Sequence, residues 1–285
     1  MVYAVGGGHG HAVRGAGVAS ALVRRGVATS LVVLEAQQHL VEALAPEVPL
    51  LVVAGRDHTR LPGDVTRELL AADRLVVDTF PGGVRGELQG LSTPRWAMLR
   101  LRRDAETPAF LGEVAACEAA VDLECNLRWL EHADVTALDP VARNVLADPD
   151  ARDDGSVCLL SGGDPALDAF FDKLGPRLRA VGLSVLRRAP ASPPLMFDRR
   201  PRVVVGAAGY NLTYELARAG IHHLAIPRAR PFDDQRRRAR AIAEAPADPE
   251  AMEARIIQLA LDPDPGPPRR RCTGRYDDVA AWLLS

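Results

Sequence analysis

The sequence has almost no lysine: Lys173 is the single lysine among 35 basic residues. The 37 acidic residues balance the arginines and leave a formal net charge of −2. We interpret the arginine excess as a compositional bias. Because the chain carries no large basic field, its charge argues against a nucleic-acid-binding protein.

Cysteine pairs with metal-ligand spacing are also missing. The four cysteines show no C-x-x-C motif and no histidine-rich cluster, so we expect reduced, buried or half-buried thiols (Cys117, Cys125, Cys158 and Cys272). No apolar run approaches the roughly 20 residues that a membrane-spanning helix needs. Met1–Val5 leads straight into glycines, so no signal peptide is expected. These absences predict a cytoplasmic protein whose membrane association is peripheral at most.

Short apolar runs alternate with amphipathic segments along the chain. Strands are expected at Val2–Val5, Leu31–Leu34, Leu50–Val53, Leu75–Val77, Trp96–Leu101, Val157–Leu160, Leu183–Leu186, Val203–Val205 and His223–Ile226. Helices are expected at Val13–Arg25, Gln37–Leu44, Val65–Ala72, Phe110–Ala120, Pro165–Val181 and Leu212–Ala219. This alternation predicts an α/β protein with parallel sheets and helices on both faces.

The length of 285 residues allows two domains of about 140 residues each. An Asp- and Pro-rich stretch from Asp139 to Gly155 is the expected linker. We predict an N-terminal domain over 1–145 and a C-terminal domain over 155–265. The breaker run from Asp262 to Pro268 stops the second domain, and a tail helix follows within 266–285.

The segment from Val203 to Arg240 carries the most information. An apolar strand is followed by Gly206 and Gly209, and then by a helix that Gly220 closes. A second apolar strand ends at Pro227. Backbone amides at a helix N-terminus attract anions, above all phosphate. The segment therefore predicts a half-sheet that binds phosphate or a nucleotide-sugar.

The same segment resembles the donor-binding signature of family 28-like glycosyltransferases. These include the N-acetylglucosaminyl transferase of peptidoglycan synthesis and short bacterial predicted glycosyltransferases. The matching residues, in order, are Gly209, Tyr210, Asn211, Thr213, Glu215, Gly220, Pro227, Arg228, Gln235, Arg238 and Ala239. The resemblance implies a GT-B-like fold, in which two Rossmann-like parallel-sheet domains face a cleft. It also implies transfer of a sugar from a nucleoside diphosphate-sugar, by resemblance a UDP-sugar, to an unknown hydroxyl acceptor.

The resemblance gives the donor-side residues individual roles. Glu215 would grip the ribose diol, since a carboxylate accepts two hydroxyl donors well. For an acid expected in the first turn of its helix, the alternative is stabilisation of the helix dipole. Gln235 would hold hydroxyls of the donor sugar, with a solvated helix start as the alternative. Helix N-termini and Arg228 would stabilise the leaving diphosphate.

A second small-residue loop ends the first strand of the C-terminal half. Ser161, Gly162 and Gly163 would let backbone amides approach a diphosphate. Asp164 departs from the glycine or serine usual in the family, and an acid there repels a diphosphate unless it caps the helix. We expect Asp164 to be the N-cap, with Pro165 at the first helical position. Contact is therefore assigned to the three residues before Asp164.

A glycine-rich run from Gly6 to His11 follows the first strand. It fits a dinucleotide-binding G-x-G-x-x-G poorly, because His11 occupies the third glycine position, so a dehydrogenase is a distant alternative. It is more similar to the acceptor-side loop of the glycosyltransferases, with matches at Gly8, Gly10, His11 and Arg14. The resemblance makes His11 a candidate general base, and a helix N-terminus would keep its imidazole neutral. The alternative is a histidine that only braces the loop.

The stretch from Asp78 to Leu88 follows a strand end, where α/β folds place ligands. It also resembles a motif of the short bacterial relatives. Asp78 or Glu87 would assist the base or bind acceptor hydroxyls. The alternatives are a turn or helix cap for Asp78 and a first-turn helix acid for Glu87.

No Asp-x-Asp metal signature stands at a strand end, so we expect neither a metal nor another cofactor besides the nucleotide-sugar co-substrate. Two other functions on the same fold stay open. One is an epimerase or hydrolase of nucleotide-sugars, and the other is a nucleotide-sugar-binding protein without turnover.

Overall fold

A computed structural model describes residues 1–55, 61–104, 107–124, 135–188, 195–268 and 272–285. The chain divides into two compact units. Unit 1 comprises Met1–Val141 and Gly274–Ser285, and unit 2 comprises Ala142–Thr273. The boundary between them falls inside the Asp- and Pro-rich stretch.

Unit 1 is built on a parallel sheet. Its described strands are β1 (Val2–Tyr3), β2 (Leu31–Leu34), β3 (Leu50–Val53), β4 (Leu75–Asp78), β5 (Arg95–Leu99), β6 (Ala119–Asp122) and β7 (Val135–Ala137). Their order is β3-β2-β1-β4-β5-β6-β7, and every neighbouring pair is parallel. The strand order reverses between β1 and β4. Open α/β sheets place ligands at such a switch point, beyond the carboxyl ends of the strands.

The described helices of unit 1 are α1 (His9–Arg24), α2 (Gln38–Leu44), α3 (Gly63–Ala71), α4 (Pro108–Ala115) and, after unit 2, a helix that we number α9 (Tyr276–Leu284). Helix α9 packs on α1. A Cβ at Gly17 would lie 2.4 Å from the ring of Tyr276, so the two helices approach closely only because Gly17 has no side chain. Trp282 contacts Trp96 with ring centroids 4.9 Å apart.

Unit 2 has a smaller parallel sheet. Its described strands are β8 (Val157–Leu160), β9 (Val185–Arg188), β10 (Val203–Ala207) and β11 (His222–Ile226). Its described helices are α5 (Pro165–Ala180), α6 (Tyr210–Ala219), α7 (Gln235–Ile242) and α8 (Pro249–Leu261). The strand order is β11-β10-β8-β9, so the switch point lies between β8 and β10. The loops after these two strands are the two small-residue loops of the sequence.

Each unit has its own apolar core. Val32, Leu75 and Val77 belong to the core of unit 1, and Val203 and Leu224 to that of unit 2, all at most 1% exposed. Strands of a parallel sheet are covered on both faces, which is why they are nearly continuous apolar runs. Among the described residues, no helix is long and apolar enough to cross a membrane.

The predicted class, two parallel-sheet α/β domains, is confirmed. Several predicted bounds are wrong. The first helix begins at His9, not Val13, so the histidines of the glycine run lie in its first turn. The helix expected over Phe110–Ala120 ends at Ala115, because the next residues lead into β6.

Two more strands are displaced from their expected positions. The strand expected at Trp96–Leu101 is Arg95–Leu99, and the one expected at Leu183–Leu186 is Val185–Arg188. Of the cysteines, Cys117, Cys158 and Cys272 are reduced thiols outside any disulfide, as expected, and Cys125 lies outside the described residues.

Candidate functional site

The glycine loop after β1 shapes the start of α1. Its N-cap, Gly8, is extended and provides no side-chain cap. A Cβ at Gly6 would lie 2.3 Å from Cδ2 of His11, so only glycine leaves room for the imidazole. Gln37, buried after β2, donates from Nε2 to the carbonyls of Gly6 and Gly8 at 2.9 Å each. Sequence reasoning missed Gln37, whose only signal is its place just after a strand.

His11 and Asp78 come together at the switch point of unit 1. Nδ1 of His11 lies 2.6 Å from Oδ2 of Asp78. Arg14, one turn further along α1, grips the same carboxylate with Nε at 2.9 Å and Nη2 at 2.7 Å. All three side chains are buried. Two of the predicted catalytic residues and one loop residue therefore form one cluster.

The charges of this cluster favour a neutral imidazole beside an ionised carboxylate. Burial alone raises the pKa of Asp78, but Arg14 and His11 outweigh it and hold that pKa well below its usual range. Burial lowers the pKa of His11; the Asp78 charge opposes this, and Arg14 and Arg100 add to it. With a proton on Nδ1, facing Asp78, the other ring nitrogen of His11 is an acceptor.

Thr79, next to Asp78, has an unusual backbone. Its φ is 72°, the only positive value among the described residues other than glycine. Its hydroxyl accepts a hydrogen bond from Nε of Arg100 at 3.1 Å, and its carbonyl accepts one from Nη1 of Arg102 at 3.2 Å. Such a conformation persists only where the surroundings enforce it, and it is typical of functional sites. Thr79 lies inside the stretch from Asp78 to Leu88 that the sequence singles out, but nothing in the sequence gives it a role of its own.

Glu87 is engaged by its own loop and by Tyr3 of β1. Its carboxylate accepts hydrogen bonds from the Tyr3 hydroxyl at 2.8 Å and from the amides of Val84 at 3.0 Å and Arg85 at 2.7 Å. Burial, with the nearby Glu87 charge, raises the pKa of Tyr3. These contacts close the loop after β4, and none of them joins Glu87 to His11.

In unit 2, the loop after β8 presents open backbone. Gly162 and Gly163 have φ values of 60° and 78°, a region that favours glycine, and both are exposed. The Ser161 hydroxyl is buried and has no hydrogen-bond partner. As expected, Asp164 is the N-cap of α5 with Pro165 at the first helical position. The loop thus offers amides and a hydroxyl at the carboxyl edge of the sheet.

The loop after β10 leads into α6. Gly209 is its N-cap, and no atom lies within 4 Å of a Cβ built there. Asn211 is half-buried, whereas Tyr210 is buried and its ring packs on Tyr214 at 4.7 Å. The Thr213 hydroxyl is buried and has no hydrogen-bond partner. Of the matched residues here, Gly209 and Asn211 are accessible, while Tyr210 and Thr213 face the interior.

Glu215 is buried in α6 and paired with an arginine. Its Oε1 lies 2.8 Å from Nε of Arg143, whose Nη2 donates to the carbonyl of Leu195 at 3.0 Å. Burial raises the pKa of Glu215, and Arg143 partly opposes that rise. The expectation of a first-turn acid is wrong, because α6 begins at Tyr210 and Glu215 lies in its second turn. Arg143, at the start of unit 2, carried no sequence signal.

The loop after β11 is tied to the loop after β8. Nη2 of Arg228 pairs with Oδ2 of Asp164. The backbone amide of Arg228 donates to Oε1 of Gln235 at 3.0 Å, and Gln235 in turn donates to Asp233 at 3.0 Å. Gln235 is the first residue of α7 and is buried, which differs from a solvated helix start.

Across the residues that the structure describes, no three His, Cys, Asp or Glu side chains converge so that they could hold a metal ion.

The sequence matches no protein family description and no curated protein. Solved structures do resemble the chain. It superposes over its whole length on 99% of SsfS6, a glycosyltransferase of Streptomyces sp. SF2575, with a TM-score of 0.60 and 13% identity. MurG of Acinetobacter baumannii matches all of this chain and 98% of its own, with a TM-score of 0.60 and 14% identity. The spinosyn rhamnosyltransferase SpnG, solved with thymidine diphosphate, matches all of this chain and 94% of its own, with a TM-score of 0.57 and 13% identity.

The chain has the GT-B fold. In this GT-B chain, the carboxyl edge of unit 2 brings together Ser161, Gly162, Gly163, Arg228 and Gln235. The carboxyl edge of unit 1 brings together His11, Arg14 and Asp78. In each sheet the strand order reverses between two neighbouring strands, and the loops that follow those strands lie at the edge where such folds bind ligands.

Proposed function

We propose that this protein is a glycosyltransferase that moves a sugar from a nucleoside diphosphate-sugar to a hydroxyl acceptor. One observation carries the proposal: the switch point of unit 2 gathers an open glycine turn, a buried serine hydroxyl and a positioned arginine on one edge. Amides, hydroxyls and guanidinium groups are the donors that phosphate oxygens accept from.

The donor is assigned to unit 2. The amides around Gly162 and Gly163 and the N-terminus of α6 at Gly209 would face the diphosphate, and Glu215 would accept the ribose hydroxyls. SpnG was solved with thymidine diphosphate, and an Arabidopsis thaliana enzyme of the same fold, UGT89C1, with UDP-L-rhamnose. We favour UDP as the nucleotide, on the resemblance of the α6 segment to family 28-like enzymes.

Acceptor activation is assigned to unit 1. The neutral His11 would take the proton of the acceptor hydroxyl as its oxygen bonds to the anomeric carbon. The bond from that carbon to the diphosphate breaks, and the diphosphate leaves with the electron pair. Asp78, kept ionised by Arg14, would stabilise the imidazolium that forms. In this proposal Glu87 braces the loop after β4.

The negative charge of the departing nucleoside diphosphate would be stabilised without a bound metal. Arg228, the amides of the Gly162–Gly163 turn and the N-terminus of α6 would supply the positive potential that a divalent ion supplies elsewhere. Activity is therefore expected to survive EDTA. Loss of turnover on chelation, restored by Mn²⁺, would contradict this part of the proposal.

The test is turnover of UDP- and dTDP-sugars by the purified protein, with and without a panel of alcohols and phenols. Release of the nucleoside diphosphate with a new glycoside supports a transferase. Release without an acceptor product points to a hydrolase, and a rearranged nucleotide-sugar points to an epimerase. Tight binding with no turnover points to a binding protein.

A further inference from the structure

The carboxylate of Asp164 performs two tasks with its two oxygens. Oδ1 accepts hydrogen bonds from the amides of Ala166 at 2.8 Å and Leu167 at 3.4 Å, which caps α5. Oδ2 pairs with the guanidinium of Arg228. The cap alone does not require a carboxylate, since serine or asparagine caps a helix as well. The second oxygen therefore needs a separate explanation.

Arg228 is held at both ends. Its guanidinium is fixed by Asp164 and its backbone amide by Gln235. The Arg228 side chain is 27% exposed and that of Asp164 is 12% exposed, so the pair lies at the surface of the loop rather than in the core. A guanidinium has five N–H donors, more than one carboxylate oxygen can use. The Arg228 guanidinium therefore has N–H donors left that can bind an additional anion.

The contacts that fix Arg228 continue into the interior of unit 2. Gln235 donates to Asp233, and Asp233 pairs with Arg238 at 2.8 Å. The Arg238 side chain is fully buried and donates to the carbonyl of Ala208 at 3.0 Å, just before Gly209. One run of polar contacts thus joins the loops after β8, β10 and β11. Arg228 is the partly exposed arginine of this run.

We propose that Asp164 is a positioning residue, which holds the Arg228 guanidinium beside the Gly162–Gly163 turn for the diphosphate of the donor. The inference rests on the proposed function. A lone carboxylate at this turn would repel a diphosphate. Paired with Arg228 its charge is neutralised, and the guanidinium is oriented before the ligand arrives, so less conformational entropy is lost on binding.

The test compares nucleotides that differ by one phosphate. Affinities of UDP and UMP are measured by calorimetry for the wild type, Asp164→Asn, Arg228→Gln and the double variant. Asparagine keeps the cap and removes the charge. Arg230→Gln is the matched control, because Arg230 is an exposed arginine of the same loop. Asp164→Ser, a second cap-preserving variant, and the melting temperature of each protein check folding.

We expect Asp164→Asn and Arg228→Gln each to weaken UDP binding by about tenfold, which is the effect of losing one hydrogen bond to a charged group. UMP binding is expected to change by less than about twofold, because UMP lacks the second phosphate, which Arg228 is proposed to contact. The double variant is expected to bind UDP no more weakly than Arg228→Gln alone, because Asp164 acts through Arg228. Arg230→Gln is expected to bind both nucleotides as the wild type does.

Three results overturn the inference while the proposed function stands. Unchanged UDP affinity in Asp164→Asn leaves Asp164 as a helix cap only. Tighter UDP binding shows that Asp164 masks Arg228 instead of presenting it. Equal weakening of UDP and UMP shows general damage to unit 2. A wild type that binds neither UDP nor dTDP overturns the inference and the donor assignment together.

Discussion

Arg143 and Glu215 form an ion pair in unit 2 across 2.8 Å, and the carboxylate is 5% exposed while the arginine is 17% exposed. The two residues are 72 positions apart in the sequence, and the pair attaches the first segment of unit 2 to α6. A carboxylate has about four acceptor sites, and the bond from Arg143 uses one of them, so Glu215 has sites left for two hydroxyl donors.

Glu215→Gln is therefore expected to weaken UDP binding by about 1–3 kcal/mol, the cost of hydrogen bonds to a charged group. Arg143→Gln is expected to destabilise the fold by a similar amount, because it leaves Glu215 buried without its partner. Arg177, 62% exposed in its pair with Glu253, is the control, and Arg177→Gln is expected to change neither quantity by more than about 1 kcal/mol. Calorimetry and urea unfolding measure the two effects. Unchanged UDP affinity in a folded Glu215→Gln protein contradicts the ribose assignment.

His11→Gln is expected to reduce kcat by about 10²–10⁴-fold and to leave UDP affinity nearly intact. Because burial lowers the pKa of His11, the wild-type rate is expected to be level at pH 7 and to fall only below the ordinary histidine value of about 6.5. Protonation removes the acceptor nitrogen, so the decline is on the acid side. The decline is expected to vanish in His11→Gln. A variant with normal kcat refutes the role as base.

Gly6→Ala and Gly8→Ala make a matched pair in one loop. A Cβ at Gly6 meets the His11 ring at 2.3 Å, whereas no atom lies within 4 Å of one at Gly8. Gly6→Ala is expected to displace the imidazole and to lower kcat by at least about tenfold, since a catalytic group out of place loses its advantage. Gly8→Ala is expected to keep kcat within about twofold of the wild-type value. Equal losses in both variants would mean that the loop matters for another reason.

Arg14→Met and Arg24→Met compare two arginines of α1. Arg14 is 2% exposed and paired with Asp78, and Arg24 is 56% exposed and paired with Asp277. Without Arg14 the buried carboxylate of Asp78 loses its arginine partner, so we expect the unfolding free energy to fall by about 3–5 kcal/mol. Removing Arg24 is expected to cost at most about 1 kcal/mol. Urea denaturation measures both, and a loss below about 1 kcal/mol for Arg14→Met contradicts the buried-pair account.

Acid sensitivity of the fold is expected from His223 in β11. Burial lowers its pKa to about 4, and a backbone contact with Gly206 opposes this. The unfolded chain then binds a proton at His223 more readily than the folded chain does. The contribution of His223 to stability is therefore fully present above about pH 6.5 and declines as the pH falls toward 4. The loss amounts to roughly 3 kcal/mol at most. His223→Phe is expected to reduce the fall of the unfolding free energy between pH 6.5 and 4, whereas His39→Phe, at an exposed site, is expected to leave that fall unchanged.

The fold could be predicted from sequence because strands buried on both faces are apolar runs that alternate with helices. Strand bounds near Arg95 and Val185 were misplaced, since polar residues at strand ends weaken that signal. The glycine loops and the Asp164 cap were predicted from local chemistry. Partners far apart in sequence, such as Gln37 with Gly6, carry no local pattern. The Thr79 backbone and the Arg143 pair were missed for the same reason.

The packing of α9 on α1 affects the order in which the protein can be assembled on a ribosome. Unit 1 is interrupted by Ala142–Thr273, so the surface of α1 around Gly17 waits for Tyr276 until all of unit 2 has been translated. At about 5–20 residues per second, that wait is on the order of ten seconds. The nascent unit 2 therefore has time to fold before unit 1 acquires its last helix. During this interval the side of α1 around Gly17 stays uncovered by Tyr276.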